Sequence, residues 1–359
     1  MRRLFNLRSI IRLVVSLALI GFLLWRIDLT RLAHELQNAN YLYVLPALAL
    51  FSIAKLLVAR RWRLMMSDFE HVPPLDFLFA TLLVSNLANN IVPARLGDLI
   101  RVQVPAERYG SSRARLTSTV FATESLLDGI ALVTLALIGL ALVDLHGFPT
   151  GVFWGALGLL VGSLAAVVPL SHLQLREGWT CNGLLTRLPQ RAQDFLETSV
   201  PHFIDGLVVF KELRLAVPAI ALSFIIWGLE IGMFWLFGIA FGVHLSLPAW
   251  MLVMVAANMI SSLPITPSNI GTYELAVAEL LRALGIDAGV AGGFAIAVHV
   301  FNIAWITVMG FVALWWLKLS VADVFSFGPK SEEEDEQAKK EGEQEERERV
   351  GAHLVHREG

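Results

Sequence analysis

Cysteine is almost absent from this chain of 359 residues, because Cys181 is the single one. One cysteine excludes an internal disulfide and a cysteine-ligated metal site. The sequence also lacks a phosphate-binding P-loop, the H-x-E…P-C-x-x-C signature of zinc deaminases and the paired aspartates that commonly hold Mg²⁺. We therefore expect neither a metal nor an organic cofactor.

Charge is scarce as well. Charged residues make up 16% of the chain, whereas a soluble domain has about 25%. Hydrophobic residues make up 56%, and the mean hydropathy is +0.64. This composition predicts an all-α integral membrane protein with little chain left for a soluble catalytic domain. We expect the lipid bilayer as its surroundings and no nucleic-acid partner.

The acidic residues are concentrated near the C-terminus. Residues 331–349 contain ten acidic and four basic residues and carry −6, so the rest of the chain carries +3 out of the net −3. We predict that residues 320–359 form a disordered cytoplasmic tail. A protein partner docking on this tail is one alternative role for the chain.

Six apolar stretches are candidates for helices that cross the bilayer, which takes about 20 helical residues, although the first stretch is short. Four arginines precede the first, so we interpret it as a retained signal anchor with a cytoplasmic N-terminus. Lys55, Arg60, Arg61 and Arg63 mark a cytoplasmic end of the second, and Lys318 places the C-terminus on the same side. The stretches are Leu13–Trp25, Tyr41–Ala59, Leu116–Val143, Val152–Leu170, Leu215–Phe241 and Ala291–Leu317.

Two further apolar segments are broken by polar residues. NNIVPARLGDLIR covers residues 89–101 and PITPSNIGTYE covers residues 264–274, and both contain Pro-x-x-(Leu/Ile)-Gly. Unpaired backbone groups are too costly to face lipid, so these segments must be buried in protein or line a wet cavity. We predict two re-entrant hairpins, Phe77–Val92 with the segment after it and Met251–Glu274. The turn or hinge residues would be Pro93, Gly97, Pro264, Pro267 and Gly271.

The order of these elements predicts an inverted repeat. Pro93 and Pro267 are 267 − 93 = 174 positions apart. Each half reads as span, span, hairpin and span, and the halves start on opposite sides of the membrane. The predicted domain covers residues 1–319, with halves at about 1–145 and 150–319 and a cytoplasmic loop at 171–214. Eight plain spans are the alternative.

The chain resembles the lysylphosphatidylglycerol synthase transmembrane-region family of flippase-like membrane proteins. The resemblance rests on the asparagines before PARLGDLIR, on the pair Glu124 and Asp128, and on PITPSNIGTYE. The commoner family pattern has glycines where this chain has Ser268 and Asn269. The resemblance implies a bacterial membrane protein that translocates lipids such as aminoacylated phospholipids or polyprenyl-linked sugars.

Polar residues near the two hairpins are the candidate substrate-binding groups. Arginine binds phosphate through two parallel hydrogen bonds, so Arg95 and Arg101 would contact a lipid phosphate, or else simply anchor the chain in the cytoplasm. Asp98 could pair with either arginine. The other candidates would line a headgroup cavity or bridge helices: Asn86, Asn89, Asn90, Asn258, Thr266 and Asn269.

Four carboxylates in apolar surroundings are candidates for proton transfer or charge balance, because an ionisable residue inside a membrane usually serves function. Glu124 and Asp128 are spaced to share one helix face, with Arg95 or Arg101 as a counter-charge. Glu230 would pair with His299. Glu274 follows the Gly271 turn, where a carboxylate also stabilises a helix N-terminus.

These observations predict a multi-pass protein of the inner (cytoplasmic) membrane that flips a lipid with a charged headgroup. The headgroup would pass through a polar cavity between the hairpins while the tails stay in lipid. A membrane-embedded transferase acting on a lipid-phosphate donor is the rival, with Asp128 or Glu124 as base. A non-transporting scaffold is the third alternative.

Overall fold

The structure is a computed structural model that describes residues 37–91, 97–143, 212–263 and 266–320, together with Gly158 and Gly162. Several predictions lie outside these residues. They are the stretches Leu13–Trp25 and Val152–Leu170, nearly all of the loop 171–214, the acidic tail beyond residue 320, and the residues Pro93, Arg95 and Pro264.

Helices dominate the described part of the chain, which contains no strand. Four of them are long and apolar enough to cross a membrane, at Tyr41–Met65, Arg113–Leu142, Arg214–Ala240 and Ala288–Leu317, and they coincide with four of the predicted spans. The protein is therefore a multi-pass helical membrane protein. The helices are α1 (Val44–Met65), α2 (Leu75–Ile91), α3 (Ile100–Tyr109), α4 (Arg113–Leu142), α5 (Leu213–Ala240), α6 (Leu247–Ser262), α7 (Thr272–Ala283) and α8 (Ala288–Leu317).

Helices α2 and α6 are shorter, with 17 and 16 residues. At the helical rise per residue they are about 25 Å long, less than the roughly 30 Å of a bilayer core. The consecutive residues Leu82, Leu83, Val84 and Ser85 of α2 are all buried. A helix buried on all its sides is surrounded by protein rather than lipid, as we expected for the first broken segment.

The long helices instead expose apolar side chains. Leu45 on α1 is 71% exposed, and Trp315 near the end of α8 is 80% exposed. In a membrane protein such side chains face lipid, and tryptophan is enriched at the interface between lipid and water. The long helices therefore present apolar side chains to lipid, and two of them, α1 and α8, pack against α2.

Four helix pairs dominate the packing: α1 with α5, α7 with α8, α2 with α8, and α4 with α6. Glycines permit close approach in the last two pairs. A Cβ atom on Gly310 would lie 2.5 Å from the Leu87 Cβ, and one on Gly139 would lie 2.7 Å from Leu252 Cδ2. Small residues serve this purpose between helices in membranes.

Helix α4 is not regular along its length. Between Arg113–Phe121 and Asp128–Leu142 lies a wider π-helical turn, Ala122–Leu127. Turns of this kind occur often at functional sites. Glu124 lies within this turn and Asp128 directly after it, so their relation differs from the regular helical spacing predicted for them.

Candidate functional site

The two broken segments meet at the centre of the molecule. The Ser268 hydroxyl donates a hydrogen bond to the carbonyl of Asn90 at the end of α2. Asn269 Nδ2 donates to the Ser261 carbonyl of α6 over 3.1 Å. The turn between α6 and α7 is thus tied both to its own helix and to the first broken segment.

This turn needs left-handed backbone conformations. Ser268 and Asn269 have φ angles of 50° and 56°, and Gly271 has a φ of 86°. Glycine adopts such angles without cost and asparagine tolerates them, which explains why the family pattern has glycines here. Buried Thr266 closes the turn, because its hydroxyl donates to the Ile270 carbonyl over 2.9 Å. The Thr266 hydroxyl is thus used within the turn, and its role in substrate binding stays a prediction.

Gly97, a predicted hinge residue, lies in the matching place of the first segment. A Cβ atom at Gly97 would approach the Ser85 carbonyl oxygen to 2.2 Å and Asn89 Oδ1 to 2.6 Å. Glycine thus lets the chain after the first segment pack directly on α2. Asn89 Nδ2 also donates to Asp98 Oδ1 over 2.9 Å.

Glu274 joins the second segment to α8. Its Oε2 accepts a hydrogen bond from the Gly271 N–H over 2.7 Å, which confirms the predicted capping role. Its Oε1 lies 2.7 Å from His299 Nδ1, and the Tyr273 ring stacks on the imidazole with 4.2 Å between ring centres. All three side chains are buried.

A polar cavity of about 210 Å³ lies where these elements converge. We call it the asparagine chamber, after Asn89, Asn90, Asn269 and Asn302 in its wall. Within the described residues, Asn89 Oδ1, Asn90 Nδ2, Asn269 Oδ1 and Asn302 Oδ1 are buried without a hydrogen-bond partner. Buried polar atoms are costly when unpaired, so these amides suit a polar ligand or water.

A second cavity of about 200 Å³ lies beside the first. We call it the acidic chamber, because Glu124 and Asp128 of α4 line it. The two chambers share part of their walls, formed by Lys55, Asn86, Glu230, Asn258 and Ser261. Each chamber has room for several water molecules.

An ion pair stands in the shared wall. Lys55 Nζ of α1 lies 3.0 Å from Glu230 Oε1 of α5. Asn258 Nδ2 of α6 donates to Glu230 Oε2 over 3.3 Å. A polar group passing from one chamber to the other therefore meets this pair.

The two carboxylates of the acidic chamber have cations behind them. Asp128 makes two hydrogen bonds with the Arg61 guanidinium, at 2.6 and 2.9 Å, and accepts a third from Trp227 Nε1 over 3.1 Å. Glu124 pairs with Arg101, whose guanidinium lies over the Trp62 ring at 4.6 Å. Both arginine side chains are fully buried, whereas the Glu124 and Asp128 side chains are 29% and 16% exposed.

The carboxylates, and not the arginines, thus face the acidic chamber. Of the two arginines predicted as a counter-charge for Glu124 and Asp128, Arg101 pairs with Glu124, whereas Asp128 pairs with Arg61. However, neither chamber is lined by Arg101, so its geometry here does not favour direct contact with a phosphate. The binding role predicted for Arg95 concerns a residue outside the described part of the chain.

Two sequence interpretations are corrected by these contacts. Glu230 does not take His299 as its ion-pair partner, because Lys55 pairs with Glu230 and Glu274 pairs with His299. Lys55 and Arg61 do not serve only as markers of a cytoplasmic helix end. Exposed Arg60 and Arg63 fit that role, while Lys55 and Arg61 point into the protein.

Sequence reasoning therefore missed two site residues, although a signal for one was present. Lys55 lies inside the predicted span Tyr41–Ala59, and an ionisable residue at such a position is a candidate for function. Grouping it with Arg60, Arg61 and Arg63 hid that signal. For Arg61 the sequence contains no comparable signal, because it lies between Arg60 and Arg63, which are both exposed.

A match to a family model shows to which family the chain belongs. The model described as the lysylphosphatidylglycerol synthase TM region matches residues 9–310. This chain belongs to that family. The match includes α1–α7, most of α8 and every residue that lines the two chambers.

Similar proteins carry a general description. A UPF0104 membrane protein of Methanothermobacter thermautotrophicus is 24% identical over 337 residues, covering 88% of this chain and 97% of that protein. A UPF0104 membrane protein of Methanocaldococcus jannaschii is 22% identical over 331 residues, covering 88% of this chain and 96% of that protein. No solved structure matches the chain.

Proposed function

We propose that this member of the family moves a lipid with a charged headgroup across the membrane. The headgroup passes through the asparagine chamber and the acidic chamber while its tails stay in lipid. The observation that carries this proposal is the pair of adjoining polar chambers, with Lys55 and Glu230 in their shared wall. Polar and ionisable groups are expensive inside a membrane and usually mark a pathway for a polar substrate.

The spacing of the helices supports an inverted repeat. When 174 is added, α2 (75–91) shifts to 249–265, close to α6 at 247–262. In the same way α4 (113–142) shifts to 287–316, one residue from α8 at 288–317. Gly97 and Gly271 are also 271 − 97 = 174 positions apart.

The helix pairs support the same interpretation. Under the shift of 174 residues, α2 corresponds to α6, and α4 corresponds to α8. The pair α2–α8 therefore corresponds to the pair α6–α4, and the structure contains both pairs. The central pair α1–α5 joins two helices that correspond to each other. In inverted repeats, matching sites open to opposite sides of the membrane in turn, and we assign that behaviour to the two chambers.

The walls of the chambers suit a headgroup with both charges. The Glu124 and Asp128 carboxylates face the acidic chamber and would stabilise an amino group, and Lys55 would stabilise a phosphate. An aminoacylated phospholipid carries both groups, whereas a polyprenyl phosphate carries the phosphate alone. In this proposal the protein lies in the inner membrane with cytoplasmic termini, and Glu124, Asp128, Glu230 and Glu274 balance charge during transport.

The test is lipid transport in proteoliposomes. Lipids labelled on an acyl or prenyl chain would be incorporated, and a reductant that does not cross the bilayer would bleach the label in the outer leaflet. The panel contains an aminoacylated phosphatidylglycerol, plain phosphatidylglycerol and a polyprenyl phosphate. We expect the wild type to move at least one of these, and Asp128→Asn to slow that transport at least about tenfold, the loss typical of a charged hydrogen bond.

Asp68→Asn is the matched control. Asp68 also pairs with an arginine, Arg115, over 2.7 Å, but this pair lies outside the chambers and is partly exposed. Its loss should leave transport unchanged. If the wild type moves no lipid under any proton or sodium gradient, the proposal fails and the transferase alternative is assayed next.

A further inference from the structure

We propose that Lys55 is the residue that binds the phosphate of the headgroup, and that Glu230 is the counter-ion that the phosphate displaces. This inference rests on the proposed lipid transport. It replaces Arg101 as the main phosphate contact and gives the shared wall between the chambers a defined chemical role.

The first argument is position. Lys55 lines both the asparagine chamber and the acidic chamber. Within the described residues it is the single lysine or arginine that lines either one. Arg61 and Arg101 lie behind the wall with fully buried side chains that already bind Asp128 and Glu124. An anionic group in either chamber therefore meets Lys55 first.

The second argument is the number of hydrogen-bond donors on the Lys55 ammonium group. A lysine ammonium has three N–H donors, and in the described part of the chain Lys55 Nζ donates one hydrogen bond, to Glu230. The Lys55 side chain is 20% exposed, and the Glu230 side chain 4% exposed. The lysine thus has donors available on the open side, and its four-carbon stem lets the charge move between the chambers.

The third argument is the exchange itself. A phosphate that replaces Glu230 on Lys55 replaces one anionic acceptor with another, so the buried ammonium keeps a counter-charge throughout. Losing that partner without replacement would be costly. Glu230 keeps the hydrogen bond from Asn258 Nδ2 when the lysine leaves. The Lys55 ammonium therefore keeps an anionic partner at each stage, while Glu230 retains one hydrogen bond from a neutral amide.

The test compares half-saturation and maximal rate of transport in proteoliposomes at graded mole fractions of acyl-labelled phosphatidylglycerol. Lys55→Met removes the charge while keeping the stem, and should raise half-saturation at least about tenfold. Lys55→Arg should stay close to the wild type. Glu230→Gln removes the competitor, so half-saturation should fall severalfold while the maximal rate also falls because the lysine releases phosphate more slowly.

A binding measurement separates this effect from misfolding. Added phosphatidylglycerol should raise the melting temperature of the wild type, of Lys55→Arg and of Lys318→Met in detergent. Lys318→Met is the matched control, because Lys318 is exposed beyond the end of α8. The shift should be lost in Lys55→Met, whose melting temperature without lipid shows whether it is folded.

The outcomes distinguish the inference from the function on which it rests. If Lys55→Met moves phosphatidylglycerol with wild-type half-saturation, Lys55 is not the phosphate contact, although transport stands. If the wild type moves an acyl-labelled glycolipid without phosphate equally well, the inference is overturned in the same way. If no lipid moves at all, the proposed function itself fails.

Discussion

The two halves of the molecule each have a pair of hydrogen-bonded side chains at a matching place, but the acidic member lies on the long helix in the first half and on the short helix in the second. In the first half, Arg101 of α3 pairs with Glu124 of α4. In the second, Glu274 of α7 pairs with His299 of α8. A shift of 174 would carry Arg101 to 275 and Glu124 to 298, each one residue from its counterpart.

Both pairs connect the same kinds of helix. Each connects the helix after a glycine, Gly97 or Gly271, to the long helix that ends its half. The chemistry differs, because arginine stays charged at all relevant pH values whereas histidine is charged only when protonated. The first half therefore has a pair of two charged groups, which we call the arginine pair. The second half has a pair of a carboxylate and an imidazole, which we call the histidine pair, so the halves of the proposed repeat are not interchangeable.

The largest expected effect comes from breaking the arginine pair by replacing Glu124, its partly exposed member. Glu124→Gln leaves the fully buried Arg101 guanidinium without its carboxylate, so we expect the free energy of unfolding to fall by about 3–5 kcal/mol. Arg101→Met leaves Glu124 next to the acidic chamber, and should cost less, about 1–3 kcal/mol. Unfolding in mixed detergent and dodecyl sulfate micelles measures both values.

The double variant and a surface pair control this prediction. Glu124→Gln combined with Arg101→Met should recover part of the loss, because no unpaired charge remains buried. Asp68→Asn, in the partly exposed pair with Arg115, should cost about 0–1 kcal/mol. An equal loss for Glu124→Gln and Asp68→Asn would contradict the buried role assigned to Arg101.

The two glycine contacts give the next largest effect. Gly139→Ala affects the α4–α6 contact and Gly310→Ala affects the corresponding α2–α8 contact, and overpacking should cost about 1–3 kcal/mol in each. A backbone carbonyl lies near both positions, Leu83 at 3.2 Å from the new methyl group at Gly310 and Pro248 at 3.1 Å from that at Gly139. The loss should be larger at Gly310, because the Cβ of Leu87 at 2.5 Å cannot turn aside as the end of the Leu252 side chain can.

Gly228→Ala is the control for this comparison. A Cβ atom at Gly228 on α5 would have open space around it, so the helix should become more stable by up to about 1 kcal/mol. The same unfolding measurement reports all three variants. A gain in stability at Gly310 would mean that α2 and α8 do not approach each other as closely as described.

The histidine pair should respond less than the arginine pair. Glu274→Gln keeps an oxygen that can accept the Gly271 N–H, so the cap survives and mainly the contact with His299 changes. We expect a loss of about 1–2 kcal/mol in the free energy of unfolding. His299→Gln should give a similar loss. If either variant costs as much as Glu124→Gln, the distinction between the two halves disappears.

The sequence predicted the elements of the fold better than the partners of its charges. Hydropathy located α1, α4, α5 and α8, and the broken motifs located the polar centre, because both signals are local in the chain. The ion pairs join residues far apart, such as Lys55 with Glu230 and Arg61 with Asp128. Which arginine turns inward depends on the helix face and its neighbours, and the positive-inside pattern contains no such information.

The turn residues Ser268 and Asn269 should show the smallest effect. Ser268→Gly relieves a left-handed φ of 50° but removes the hydrogen bond to the Asn90 carbonyl, so the net change in the free energy of unfolding should stay below about 1 kcal/mol. Ser268→Ala removes the same hydrogen bond and keeps the strain, so it should be less stable than Ser268→Gly by about 1 kcal/mol. Asn269→Gly should behave like Ser268→Gly, since it exchanges strain at φ 56° for the bond to the Ser261 carbonyl. Equal stability of the alanine and glycine variants would show that the turn is not held in the left-handed region, and the second half would then lose the tight turn that places Glu274 against His299.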